Sequence, residues 1–412
     1  MSGGKKSNPY RWVILLSIIP IIISTEIMWL SVAPVSSLCE KFYGVSSLSV
    51  SYFSMCYLIM FIIFSIPSSY VIDKYGFRTA LIIGGSLTAV FGVIRAVFAD
   101  NFAIALFSQF IIAIGQPFLL NISTKVPANW FPVKERSTAT GILTMAQYIG
   151  FTVPMLSSPV LADSYGIPGM FRIYAVIAVI SAVLVIAFTR EKPPVPVDDN
   201  GYMEEESQSV LQGLKQLFVN KKFIPVMVIA FIGIGAFNTI MTEIEGILVP
   251  SGFTITQAGI LGALLTVAGI FGAVVIPYFS DAVGKRKIFC VIATFLAVPL
   301  FSVFFFNGSF VIVAIAGAVA GFALMGVTPI LFQHGSEVAY PTQEGTSCSV
   351  INLMGNISGI VFIFVFEYLG EVTGSLTVPK LFVIAGLTVI FIMYLFMKES
   401  KLFIDKYKGL SR

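Results

Sequence analysis

Long apolar runs, broken by short polar clusters, organise this chain. Twelve runs reach the roughly 20 mostly apolar residues that cross a bilayer as a helix. They lie at roughly 11–39, 48–72, 79–98, 103–128, 137–161, 170–189, 223–250, 256–280, 288–306, 310–337, 345–370 and 379–398. Several exceed the minimum length, so tilted or protruding helices are expected. The first run follows Lys5, Lys6 and Arg11 and lacks a small-residue cleavage site. It is therefore expected to be an uncleaved first helix rather than a signal peptide. The fold class predicted is an all-α membrane protein of twelve transmembrane helices.

Composition narrows the function classes. Of the 412 residues, 57% are hydrophobic and 11% are charged. Soluble domains carry about 25% charged residues, so this chain could not solvate a globular surface. The net charge of +4 is small, and no nucleic-acid partner is expected. One His and four scattered Cys (Cys39, Cys56, Cys290, Cys348) offer no metal-ligand spacing and no disulfide framework. The Gly-rich stretches at 262–272 and 317–326 lack phosphate-loop spacing and lie inside apolar runs, where small residues allow close helix contact. No cofactor is expected.

The basic residues set the orientation. With the N-terminus inside, 20 of the 25 Lys and Arg fall on the cytoplasmic side, while Lys41 and Lys380 fall outside. This positive-inside pattern places both termini in the cytoplasm. A cell membrane is the default location.

The longest polar stretch, Arg190–Lys222, holds Pro193, Pro194 and Pro196 followed by five acids. It reads as a linker, with Val210–Phe218 as a short surface helix. The domains expected are 1–190, a linker at 191–222, and 223–412. The halves repeat. Tyr70-x-x-Asp73-x-x-Gly76-x-Arg78 returns 208 positions later as Tyr278-x-x-Asp281-x-x-Gly284-x-Arg286. Phe131-Pro132-x-x-Glu135 returns 209 positions later as Tyr340-Pro341-x-x-Glu344. Six-plus-six parallel repeats around a linker resemble the major facilitator architecture, whose substrate site lies near mid-membrane.

The repeated loop also resembles the major facilitator motif between spans two and three. Gly allows a tight turn there. Asp73, at the negative pole of its own helix, needs a nearby cation or another helix's N-terminus. The resemblance implies a latch that opens as the transporter turns, formed by Asp73, Gly76 and Arg78 and again by Asp281, Gly284 and Arg286. At the joint of spans four and five, Pro132 stops one helix and Glu135 sits near the start of the next, where an acid is favoured. Glu344 occupies the matching joint of the second half.

A narrower resemblance rests on Trp29, Glu40–Val45, Gly115-Gln116-Pro117-Phe118, the Trp130–Thr140 loop, Gln147, Gly235-Ala236-Phe237 and Glu337–Ser347 with Asn352. These residues are similar to those of the feline leukaemia virus subgroup C receptor-related (FLVCR) transporters, linked to choline and ethanolamine transport and to haem export. In that family a span-one Trp and a span-seven Tyr cradle the quaternary ammonium beside a span-five Gln. The resemblance assigns the Trp to Trp29 and the Gln to Gln147. Asn238 stands where the Tyr would be. Half of the aromatic cage is thus absent, and a primary amine that donates hydrogen bonds to an amide suits the site better than trimethylammonium.

Polar residues inside spans are costly and mark candidate sites. Glu26 lies about 22 Å along span one from Arg11, with Trp29 about one turn further. A Trp beside a carboxylate suits a cation; interface anchoring is the alternative for Trp29. A charged partner such as Arg95 or Arg172 would make Glu26 structural. Gln116 and Asn121 fall in the middle part of span four, Gln147 in span five, Asn238 in span seven, and Asn352 and Asn356 on one face of span eleven. All are candidate substrate contacts, with interhelical hydrogen bonding as the alternative. Glu243 is open between a cation funnel, a proton site and a solvated helix end. Glu245 is expected as a solvated helix end, and His334 as a shallow residue near the inner end of span ten.

The function expected is a secondary active or facilitative transporter that moves a small cationic organic solute by rocker-switch alternating access. Choline or ethanolamine is the sharper form. Proton-coupled antiport of drugs or metabolites through Glu26 or Glu243 is the alternative. A non-transporting receptor would not need two movable halves, and no enzyme is expected. The partners expected are the solute and the lipid bilayer, with a functional monomer.

Overall fold

The computed structural model describes residues 9–123, 125–131, 133–193, 216–339, 342 and 344–399, without the side chains of 128, 133–138, 281 and 344–346. The chain divides into two compact units, Met1–Met203 and Glu204–Arg412. Among the described residues all regular structure is helical. Eleven helices are long and apolar enough to cross a membrane. One of them, Val133–Phe188, leaves the helical conformation at Gly166 (φ 68°, ψ 175°) and divides there into spans five and six. The twelve spans of a multi-pass membrane protein follow. Helices are the structure a bilayer permits, because each backbone group finds its partner within its own segment.

In the first unit, span one is Tyr10–Leu30, span two Ser47–Tyr75, span three Phe77–Val97 and span four Phe102–Leu120. Span one packs on span five, span two on span four, and span three on spans four and six. In the second unit, span seven is Ile224–Thr242, span eight Ile255–Val283, span nine Arg286–Phe306, span ten Phe310–Ala339, span eleven Glu344–Thr373 and span twelve Thr377–Phe396. Span seven packs on span eleven, span eight on span ten, and span nine on spans ten and twelve. The second pairing scheme repeats the first.

The backbone carries the same repeat. Six glycines adopt positive φ: Gly44 and Gly252, Gly76 and Gly284, Gly166 and Gly374. Each pair lies 208 positions apart. No other residue type adopts positive φ among the described residues, as expected where a Cβ would strain the turn.

Spans one, four and seven end earlier than hydropathy suggests. Span one stops at Leu30 and a short 3-10 turn, Ala33–Val35, carries Pro34 before a second helix, Ser36–Tyr43. Span seven stops at Thr242 and resumes as Ile244–Leu248. Span four stops at Leu120, and Asn121–Ser123 turns before the short helix Lys125–Trp130. Asn121 is therefore at the end of span four, not in its middle part. Hydropathy does not register these breaks, because the chain stays apolar through them. The surface-helix expectation for Val210–Phe218 falls largely outside the described residues; 216–219 are helical.

Helices approach most closely where glycine removes the side chain. On span eight, a Cβ at Gly272 would collide with the Phe322 backbone carbonyl of span ten. On span ten, a Cβ at Gly321 would collide with the Leu265 carbonyl in return. Backbone cannot yield as a side-chain tip can. Gly272→Ala is therefore expected to destabilise the second half by about 1–3 kcal/mol, the usual cost of overpacking. Thermal unfolding of the purified protein checks this: a clearly lower melting temperature is expected, and an unchanged one would mean the two helices can separate freely.

Candidate functional site

Two groups of residues in the first half answer to the sequence expectations: a polar and aromatic cluster around Glu26 and Trp29, and the loop between spans two and three.

Glu26 is buried at 1% exposure. Its Oε2 accepts a hydrogen bond from Gln116 Nε2 at 3.1 Å. Neither Arg95 nor Arg172 pairs with it, and no Lys or Arg does so among the described residues. Arg172 is exposed. Arg95 is fully buried and is held by the Gln109 amide oxygen, by Met28 Sδ at 2.8 Å and by the face of Phe171 at 4.2 Å. The charge-paired alternative for Glu26 is overturned: an amide, not a guanidinium, meets the carboxylate.

Trp29 is buried, not set in an interfacial belt. Its Nε1 donates to the Ser54 carbonyl at 3.1 Å. Its ring stacks on Tyr57 (centroids 6.4 Å apart, 30°) and meets Phe151 edge-on at 5.4 Å. Span five joins the two residues. Gly150 leaves room for the Glu26 side chain, since a Cβ there would collide with it, and Phe151 follows against Trp29. Gln147 shares that helix face by its i, i+3 and i, i+4 spacing to Gly150 and Phe151. It is half-buried and makes no side-chain hydrogen bond among the described residues. The structure thus brings Gln116 to Glu26 and sets Gly150 and Phe151 of span five against Glu26 and Trp29, with Gln147 on the same helix face by spacing. Tyr57 and Phe151 belong to this cluster without having been singled out, since an aromatic in an apolar run looks like any core residue.

The remaining candidates do not join that cluster within the first half. Asn121 gives its Nδ2 to Ser68 Oγ at 2.8 Å and to Ser65 at 3.3 Å, which ties the end of span four to span two. In the second half, Asn238 is buried with no hydrogen-bond partner among the described residues. Asn352 is exposed, and Asn356 turns its amide back to the Asn352 carbonyl at 2.9 Å. Glu243 and Glu245 are both buried, at 2% and 1% exposure. The solvated-end expectation for Glu245 is therefore wrong: the break after Thr242 turns the following helix inward. His334 is near the end of span ten but buried at 3% exposure.

The loop motif is built as a clamp. Asp73 pairs at 3.1 Å with Lys125, which opens the short helix after span four. Glu191, just after span six, accepts from the backbone N–H groups of Phe77 at 3.2 Å and Arg78 at 2.8 Å. Its carboxylate therefore caps the positive end of span three. A Cβ at Gly76 would strike that carboxylate, and its φ of 89° suits glycine. The second half repeats the device. Glu399, 208 positions after Glu191, accepts from the Lys287 N–H at 2.7 Å. Arg286 pairs with Glu337 at 2.8 Å. Gly284 turns the loop at φ 68°. The side chains of Asp281, Glu135 and Glu344 lie outside the described residues; the backbones of Glu135 and Glu344 sit in the first turns of their helices. Glu191 and Glu399 escaped the sequence reading because each stands alone in a polar stretch, and only the 208-position offset links them.

The fold and the paired loops define a membrane transporter, and comparison with known proteins gives its family. The sequence matches the Major Facilitator Superfamily over residues 8–363, and the chain belongs to that superfamily. It is 29% identical to solute carrier family 49 member A3 of Xenopus tropicalis, over 87% of this chain and 78% of that protein. It is 28% identical to the uncharacterized protein B0416.5 of Caenorhabditis elegans, over 87% of this chain and 72% of that one. It is 25% identical to the human choline/ethanolamine transporter FLVCR2, over 87% and 71% of the two chains. The fold is similar to that of a bacterial homologue of the human lysosomal transporter Spinster, with TM-score 0.76, 16% identity and coverage of 97% and 98%. It is also similar to a D-xylose–proton symporter, with TM-score 0.71, 16% identity and coverage of 95% and 98%.

The Glu191 clamp makes a local prediction. Glu191→Gln keeps the shape but loses the charge, and should weaken the cap by about 1 kcal/mol, roughly fivefold in opening. Hydrogen exchange at the Phe77 and Arg78 amides is expected to speed up by that factor. Exchange at the wild-type rate would show that the carboxylate does not hold the turn.

Proposed function

We propose that this transporter moves a small cationic amine of the ethanolamine and choline class by rocker-switch alternating access. The observation that carries the proposal is the buried Glu26 carboxylate, met by an amide and set one turn from a buried Trp. An ionised carboxylate inside a membrane protein costs several kcal/mol unless it is paired. An amine bound between Glu26 and the Trp29 face would supply the missing charge, with cation–π attraction adding to it. Gln147, unengaged on the adjoining face of span five, would orient the hydroxyl or ammonium hydrogens, and Gln116 would hold Glu26 in place. The names of the FLVCR2 relatives support the same substrate class.

Asn238, where the resembled family has Tyr, is assigned to substrate discrimination. Its amide would accept a hydrogen bond from a primary ammonium and offer nothing to trimethylammonium. Asn352 and Asn356 are assigned secondary contacts, Asn121 a structural one, and Glu243 a second acidic position that could couple transport to protons. Asp73, Gly76 and Arg78, with Asp281, Gly284 and Arg286 in the second half, are assigned to gating, beside Glu135 and Glu344 at the paired joints. The positive-inside pattern supports placement in the cell membrane with both termini in the cytoplasm.

Flux of labelled ethanolamine and choline into proteoliposomes, with and without a pH gradient, tests the proposal. Ethanolamine flux exceeding choline flux is expected. Trp29→Ala should abolish both, and Asn238→Tyr should shift preference toward choline. Full amine flux in Trp29→Ala would remove the aromatic site from the account. No flux of either amine, beside robust pH-driven efflux of unrelated compounds, would favour proton-coupled antiport instead.

A further inference from the structure

The second half contains a cavity of about 640 Å³ that the proposed transport site does not use. It lies where span seven begins, span ten ends and span twelve ends. Ile229, the deepest span-seven residue on its wall, is nine residues before Asn238, about 13 Å along the helix. The cavity is therefore a feature of the membrane boundary, separate from the level of Asn238.

Its walls are mostly apolar, with Ile229, Ile392 and Phe396 among them. Phe396 is 79% exposed, as suits a residue facing lipid. The polar groups are arranged unevenly. Both acids at the cavity are engaged through one oxygen: Glu337 Oε1 pairs with Arg286 at 2.8 Å, and Glu399 Oε1 accepts from the Lys287 N–H at 2.7 Å, while Glu399 Oε2 is buried without a hydrogen-bond partner. Lys222 and Lys398, both exposed, line the same cavity, one just before span seven and one just after span twelve. Neither ammonium pairs with an acid among the described residues. His334 is 3% exposed, lines the cavity, and leaves its Nδ1 without a hydrogen-bond partner. Buried polar atoms are seldom left so.

A ligand that fits must satisfy three conditions. It must cover apolar walls, bring negative charge to two lysines, and offer hydrogen-bonding groups to His334 Nδ1 and, as a donor, to Glu399 Oε2. A small soluble anion would leave the walls wet. A neutral sterol could meet His334 with its hydroxyl but would bring no charge to the lysines. We infer that this cavity binds an anionic phospholipid from the leaflet at that end of the protein, its phosphate between Lys222 and Lys398 and its chains along Ile392 and Phe396. Basic pockets between transmembrane helices at the headgroup level suit such lipids, and the volume is in the usual range for bound small molecules. The occupied cavity would abut the Arg286–Glu337 pair and the Glu399 cap, so lipid binding would steady the second-half clamp.

The test is a thermal-shift titration of the full-length protein in neutral detergent, with phosphatidylglycerol, phosphatidylcholine and inorganic phosphate as separate arms. Phosphatidylglycerol is expected to raise the melting temperature, and the other two to leave it unchanged. In Lys222→Gln/Lys398→Gln the apparent affinity for phosphatidylglycerol should fall about thirtyfold. Ile392→Trp, at a half-exposed wall position that keeps both lysines, should abolish the shift by filling the cavity; it decides the matter if the double variant misfolds. An equal shift with phosphatidylcholine, a shift reproduced by phosphate, or wild-type titration in Ile392→Trp would each overturn the proposal.

Discussion

A charge inside a bilayer must be given a partner, and the way this chain partners its few buried charges shapes both halves. Lys380 reaches Ser251 Oγ at 2.9 Å and the Phe305 carbonyl at 3.1 Å, which neutralises the negative end of span nine. Arg286 takes Glu337. Arg95 takes an amide, a thioether and an aromatic face. These are closed arrangements that join helices. Glu26 differs, because its amide partner stabilises a carboxylate without cancelling its charge. Among the described residues it is the buried acid whose surroundings most clearly call for an external cation, and its neighbours on spans one and five are aromatic.

The duplicated architecture shows why the Glu26–Trp29 pair occurs in one half alone. Span one on span five is mirrored by span seven on span eleven, and the left-handed glycines keep the halves in register at 208 positions. The positions matching Glu26 and Trp29 at this offset are Ile234 and Phe237. Ile234 packs over Gly355 much as Glu26 packs over Gly150. The scaffold is thus shared while the chemistry is not. The clamps follow the opposite pattern: Glu191 and Glu399 keep the same task on spans three and nine.

Much of the fold was legible in the sequence because bilayer thickness imposes a length on apolar runs, and twelve such runs are plain. The repeated Tyr-x-x-Asp-x-x-Gly-x-Arg pattern marked the duplication. The breaks in spans one, four and seven were not legible, since Pro34, the Asn121–Ser123 turn and Glu243 interrupt helices without lowering hydropathy much. That error misplaced Asn121 and left Glu245 in solvent. Within the site, Glu26, Trp29, Gln116 and Gln147 were legible as polar or aromatic exceptions in apolar runs. Their surroundings were not, because Gln116 of span four and Gly150 and Phe151 of span five meet Glu26 and Trp29 only in the folded chain. Tyr57 and the two capping glutamates needed tertiary structure to stand out.

The central claim is that Glu26 supplies the counter-charge for an amine. Equilibrium binding to purified protein tests it most directly, with ethanolamine compared against its uncharged isostere ethylene glycol, in wild type and in Glu26→Gln. The account predicts that wild type binds ethanolamine and not the neutral isostere, and that Glu26→Gln binds neither. Ethanolamine affinity unchanged in Glu26→Gln, or equal affinity for the two compounds in wild type, would contradict it.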